Sequence, residues 1–201
     1  EAEPTEPPEA TDTPGPTNTP EPTDTPEPTD TPEPTPVPPT PTPEGIVPVG
    51  TSLVGEDIEP GIYVGFTDRS CYWERLSSLS GEFEAIIAND NMTGQFYIEV
   101  LESDRALMTD CELLPIDTVP APDPPLTEIG PGVYIVGRDI LAGTWRGQAR
   151  EGSTCYWERL SCVLGTFNCI IANDNSAGQF FVEVAPSDFA LRVDCSMQKA
   201  E

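Results

Sequence analysis

The sequence predicts an all-β protein: two tandem copies of one small disulfide-stapled β-sandwich or barrel-like domain, preceded by an extended polyproline-II arm. Three observations lead there. VGEDIEPGIYVG, CYWERLSSLSG, IIANDNMTGQFYIEV and SDRALMTDC recur in the same order as VGRDILAGTWRG, CYWERLSCVLG, IIANDNSAGQFFVEV and SDFALRVDC. Short apolar runs in both copies end at Gly, Pro, Asn or Asp, as strands do. Residues 1–45 hold 16 of the 25 prolines and 12 threonines with no Lys or Arg, a composition that cannot build a core.

The arm, residues 1–45, carries the unit EPTDTP. Proline fixes φ and pushes its predecessor toward extended conformations, which favours polyproline II. At about 3.1 Å per residue the arm reaches about 140 Å. Three residues per turn place Glu21, Asp24, Glu27, Asp30 and Glu33 in one acidic stripe. The other two faces present Thr at a regular spacing. Thr17, Thr19, Thr23, Thr25, Thr29, Thr31 and Thr35 are the candidates for O-glycosylation, because Thr/Pro-rich composition marks glycosylated stalks. A stiff acidic spacer is the plainer reading of the same stretch.

The first β domain is placed at 46–115 and the second at 129–201. Residues 116–128, rich in proline, form a semi-rigid linker between them. Gln95–Val100 and Gln179–Val184 alternate in period two, as half-buried strands should. NDN at 89–91 and 173–175 reads as a turn that ends a strand.

Six cysteines and an acidic Thr/Pro-rich chain fit an oxidising, extracytoplasmic setting. The first copy contains only Cys71 and Cys111, so they pair. By equivalence Cys155 pairs with Cys195. Cys162 and Cys169 remain for each other, across a turn at Gly165. The rival reading has Cys162 or Cys169 crosslinking neighbouring molecules.

Charge excludes several classes of function. The arm contributes −11 of the net −26, and the remainder carries 24 acids against 9 bases. Phosphate neutralisation, and so nucleic-acid binding, is unsupported, as is docking on anionic lipid. No run of about 18 apolar residues is available for membrane insertion. Histidine is absent, and no Ser/His/Asp set, HExxH or phosphate loop occurs, so an enzyme is not expected.

Two motifs offer binding chemistry. CYWERL carries Tyr72 and Trp73 in one copy and Tyr156 and Trp157 in the other. A Trp packed on a disulfide is the preferred reading, and an aromatic platform for carbohydrate is the alternative. NDN supplies three oxygen-bearing side chains that could begin a calcium site, but the spacing departs from an EF-hand loop, so no cofactor other than covalent glycan is expected. Asn91-Met92-Thr93 matches an N-glycosylation sequon that the second copy lacks.

VGxDIxPGxY, CYWxRLSxxxG, IIANDN and a closing Cys together resemble a small β domain of secreted and surface-attached bacterial proteins, often found beside TPEPTP-type linkers. The second copy departs from it at Ala142 and in adding Cys162 and Cys169. The resemblance implies an extracellular β domain and no particular activity. The expected function is a structural protein of a bacterial surface. It would be a fibre subunit with head-to-tail contacts to itself and an O-glycosylated arm. The alternative is a monomeric tandem module that binds carbohydrate or another ligand.

Overall fold

Residues 45–200 are described in the structure, a computed structural model. The arm, with its polyproline-II reading and its candidate threonines, lies outside the described residues. Copy 1 comprises β1 (Gly50–Leu53), β2 (Gly61–Leu76), β3 (Ile86–Val100), β4 (Ala106–Thr109) and β5 (Leu113–Pro115). Copy 2 comprises β6 (Glu128–Ile129), β7 (Gly132–Ile135), β8 (Gly143–Gln148), β9 (Thr154–Leu160), β10 (Ile170–Ala177), β11 (Gln179–Val184), β12 (Ala190–Val193) and β13 (Met197–Lys199). No helix among the described residues is long and apolar enough to cross a membrane.

One long hairpin builds each copy. In copy 1, β2 and β3 pair antiparallel from Gly61↔Val100 to Leu76↔Ile86, with the register broken between Thr67 and Cys71. One end of the hairpin pairs with β5, the other with β4 and then β1. The hairpin thus runs through both layers of a sandwich. In copy 2 the same hairpin is divided into β8 and β9, and into β10 and β11. Its two layers are β7-β12-β9-β10 and β11-β8-β13-β6.

The structure corrects the turn expected at NDN. Asn89, Asp90 and Asn91 lie inside β3, opposite Glu74, Trp73 and Tyr72. Their counterparts Asn173, Asp174 and Asn175 lie inside β10. Hydrogen bonding to the neighbouring strand overrides local turn preference. In a strand successive side chains alternate faces, so Asn89 and Asn91 point away from Asp90 and the three do not converge on one ion.

Two repeated contacts hold the layers. Gly65 pairs with Phe96, and Gly147 with Phe180, and a Cβ at either glycine would strike that ring. The phenyl covers the bare backbone of its cross-strand partner. The disulfides join Cys71 to Cys111 and Cys155 to Cys195, each across 40 residues, and Cys162 to Cys169 across 7. In the chain-entropy picture closures of this size contribute about 4 and about 2.5 kcal/mol.

A buried arginine was not expected from the sequence. Arg75 Nε and Nη2 bind both carboxylate oxygens of Asp104, at 2.7 and 2.8 Å, and both side chains are almost fully buried. Asp104 Oδ2 also accepts the Leu101 amide at 2.9 Å. Copy 2 repeats the arrangement with Arg159 and Asp188, but the Arg159 side chain is 23% exposed. Arg159 hydrogen bonding holds the Asp188 carboxyl below the ordinary carboxylate range, against the opposing effect of burial. That contribution is present at neutral pH and fades as acid protonates the group.

Removing one partner of a buried ion pair costs about 3–5 kcal/mol. Asp104→Asn should therefore lower unfolding free energy by about 3 kcal/mol, and Asp188→Asn by about half as much because Arg159 keeps contact with water. Denaturant titration of the two variants measures the difference. Equal losses would mean that the two pairs do the same work.

Candidate functional site

The copies are joined, not strung apart. Gln95 of β3 pairs in parallel with Gly132 of β7, which links the strands of copy 1 to a sheet of copy 2. One core cluster contains Trp73, Met92 and Tyr97 from copy 1 together with Val133, Ile135, Leu160, Val163 and Ala190 from copy 2. Copy 2 keeps a second cluster of its own around Trp145, Phe180 and Leu191.

The hairpin closed by Cys162–Cys169 is the docking element. Leu164 O accepts Arg75 Nη1 at 2.8 Å, and Val163 O accepts the Glu99 amide at 3.0 Å. Gly165, at φ +72°, presses its backbone on the Trp73 ring, where a Cβ would overlap the indole. The disulfide thus stiffens the one hairpin that must present backbone carbonyls to another domain. The equivalent hairpin of copy 1, with Ser78 and Ala85 at those positions, carries no crosslink.

A polar lock lies beside it. Tyr97 Oη donates to Asp139 Oδ2 at 2.7 Å and accepts from Arg138 Nη1 at 2.8 Å, while Gln95 Nε2 donates to the same Asp139 oxygen at 3.1 Å. Burial, and then the hydrogen bond to Asp139, push the Tyr97 phenol far above its ordinary range, so it stays a donor. Farther along, Arg192 Nη1 binds Asp90 Oδ2 at 2.6 Å across the junction.

Between these contacts the copies enclose a cleft of about 210 Å³. Trp73, Met92, Leu160 and Val163 supply its apolar wall, and Asn89, Asp90, Glu158 and Arg192 its polar one. Phe167 stands at its edge, 91% exposed. Burial alone would lower the Arg192 pKa, but Asp90, Glu158 and Asp194 outweigh it and hold the guanidinium charged.

The aromatic residues singled out in the sequence part company here. Trp73 is 3% exposed, within the cluster that holds Cys71, and walls the cleft. Trp157 occupies the same place in copy 2, partly buried beside Cys155 and Cys195. Tyr72 and Tyr156 face the other way, half-buried, donating to Glu74 and Glu158. Asn91 is exposed and hydrogen-bonded to Ser70. Cys71 and Cys111 lie near Asp110, but their sulfurs are joined to each other and offer no thiolate to a metal.

Two further differences between the copies were missed. Trp157 Nε1 donates to Ser176 Oγ at 3.1 Å, whereas copy 1 has Met92 at that position and the Trp73 Nε1 proton finds no acceptor among the described residues. Arg192 stands where copy 1 has Met108. Such polarity swaps between otherwise matching positions are the available sequence signal for the junction.

A family model for the Rv1352-like extracellular domain matches residues 44–112 and again 127–196. The chain belongs to this family. The two Rv1352-like copies carry the domain's extracellular assignment with them, and the disulfides suit it. A search of curated proteins and of solved structures returns no match.

Gly165→Ala tests the docking directly. A left-handed backbone position costs a residue with a Cβ about 1–2 kcal/mol, and the overlap with Trp73 adds to it. The expected result is a stability loss of about 3 kcal/mol with a changed Trp73 environment. Gly81→Ala, at the open equivalent in copy 1, should lose only the backbone part; equal losses would show that docking adds nothing at Gly165.

Proposed function

We propose that this chain is an extracellular structural protein of a bacterial surface that assembles head-to-tail by repeating, between molecules, the contact that joins its own two copies. One observation carries the reading. Among the described residues, each surface used in that contact is left uncovered in the other copy, and its apolar residues are exposed there. Val163 is 4% exposed in the docked hairpin, and its counterpart Leu79 is 55% exposed. Tyr97 is 4% exposed on the receiving strand, and its counterpart Phe181 is 56% exposed.

The backbone features of the contact are also retained. Gly81 matches Gly165, Gly178 matches Gly94, and Gly50 matches Gly132, all at positive φ. Strand β1 ends the nine-stranded sheet and β11 ends the four-stranded one, so both bear unpaired edges among the described residues. Among the described residues Arg159 Nη1 has no acceptor, and the carbonyl of Ser80 could serve it as Leu164 serves Arg75 Nη1. Two different surfaces meet in such a contact, which is the heterologous kind that propagates.

The side-chain chemistry makes this contact weaker than the internal one. Glu56 replaces Arg138, Met108 replaces Arg192, and Phe181 lacks the hydroxyl of Tyr97. Glu56 is already paired with Arg105 at 2.9 Å, which removes most of its repulsion. A net charge of −26 opposes self-association over longer range, so added salt should favour it. The arm, with glycan on threonines between Thr17 and Thr35, would hold the assembly clear of the cell. A structural role assigns no catalytic residue.

Sedimentation velocity over a concentration and salt series tests the contact. Reversible association that strengthens with salt is expected, with Leu79→Glu and Phe181→Glu each weakening it by about tenfold or more and leaving the monomer folded. A chain that stays monomeric throughout, or variants that associate like the parent, would sink the reading. Intact mass of native material tests the glycan: values above 21.7 kDa, with the excess mapped to arm threonines, are expected.

A further inference from the structure

We propose that the groove beside Phe181 on copy 2 receives residues 37–43, Val-Pro-Pro-Thr-Pro-Thr-Pro, of a neighbouring molecule. The inference rests on the head-to-tail reading and names a segment that completes the contact. Its ground is the linker between the copies. Residues 118–125 run Thr-Val-Pro-Ala-Pro-Asp-Pro-Pro, and residues 36–43 run Pro-Val-Pro-Pro-Thr-Pro-Thr-Pro. Both stand at the same distance from their domains: Val119 is 10 residues before Ile129, and Val37 is 10 before Val47. Ile129 and Val47 hold one place in the fold, opposite Met197 and Leu113. Val37 is also the one Val, Leu, Ile, Met or aromatic residue in positions 1–45.

In the internal contact the linker is part of the joint. Ile116 and Val119 pack against the cluster that the two copies share. Arg138 donates to Val119 O at 2.5 Å and to Tyr97 Oη at 2.8 Å. A docked copy therefore brings the chain just before it onto the receiving face. For copy 1 of a neighbouring molecule, that chain is the end of the arm.

The matching face of copy 2 suits such a segment. Phe181, Arg146, Gln198 and Lys199 line an open groove of about 700 Å³, where copy 1 has Tyr97, Val64, Leu114 and Pro115. Arg146 lies across from Phe181 on one side and from Gln198 on the other. Proline lacks an N–H, so residues 37–43 offer 7 carbonyls and only 3 amides. The groove supplies donors. Arg146 donates to Gln198 at 3.0 Å and Lys199 to Ala142 O at 2.6 Å, and each has further N–H groups to give. Among the described residues neither is in an ion pair, in a chain of 35 acids and 9 bases. The arm has acids and no base, so charge favours the same pairing. Glu56 of the docking copy cannot donate as Arg138 does, but Arg146, in the place of the buried Val64, donates from the receiving side. Phe181, 56% exposed, is the kind of ring on which proline-rich segments dock. Residues 37–43 lie beyond the last candidate glycosylation site, Thr35, so glycan there leaves the segment bare.

The test measures segment and assembly apart. A peptide of residues 35–44 is titrated into the ¹⁵N-labelled full chain carrying Leu79→Glu and Val37→Ser, which remove the hairpin contact and weaken the chain's own arm as a competitor. Saturable shifts at Phe181, Arg146, Gln198 and Lys199 are expected. Adding Arg146→Glu, at an exposed residue, should weaken binding by about fivefold or more, and so should replacing every proline of the peptide by alanine. In sedimentation velocity, Val37→Ser alone should weaken association of the otherwise unaltered chain by about fivefold. No saturable shift at the groove, or equal binding of the alanine peptide, would overturn the inference. If the parent chain associates, Val37→Ser makes no difference and the peptide gives no shift, assembly stands and the segment falls. If the peptide binds the groove and the parent chain never associates, the pairing stands and head-to-tail assembly falls.

Discussion

Copy 1 closes its core with side chains of copy 2, and most of what distinguishes the two halves of this chain follows from that dependence. A domain of about 70 residues buries too little surface to be secure alone. Each copy adds a disulfide, an Arg–Asp pair under the sheet and a phenyl ring laid on a glycine. Copy 1 adds a fourth support by accepting Val163, Leu160 and Ala190 from its neighbour. The consequence is visible at Arg75, whose side chain is 2% exposed where Arg159 is 23% exposed. The same residue in the same strand is sealed in one copy and wetted in the other, because only one is covered.

The extra disulfide fits this account. A hairpin that must offer two backbone carbonyls to another domain gains from being held in shape before it docks. Cys162 and Cys169 hold it, and copy 1, whose matching hairpin covers nothing among the described residues, has Ser78 and Ala85 instead. The crosslink therefore follows the interface, not the domain.

Much of this architecture was legible in the sequence. Period-two alternation and the doubled motif order pointed to tandem β domains, and the conserved spacing of 40 between cysteines pointed to one staple in each. NDN misled, because Asn and Asp favour turns locally while the pairing of β3 with β2 is a long-range fact that local preference does not encode. The buried Arg–Asp pairs left a signal that was not used: Arg in CYWERL and Asp in SDRAL or SDFAL recur together in both copies. The junction was hidden because repeats invite attention to what matches. Its residues lie where the copies disagree in polarity, at Tyr97 against Phe181, Arg192 against Met108 and Met92 against Ser176.

The shared core also sets a direction in time. The cluster that contains Val47 and Trp73 is completed by residues as late as Ala190, so its contacts span most of the folded chain. Copy 2 has a cluster that, among the described residues, draws on nothing upstream of Leu126. A chain emerging from its N-terminus first would expose the unfinished half while waiting for the half that finishes it. Order of synthesis and order of completion run opposite ways, and the first domain out is the last to be sealed.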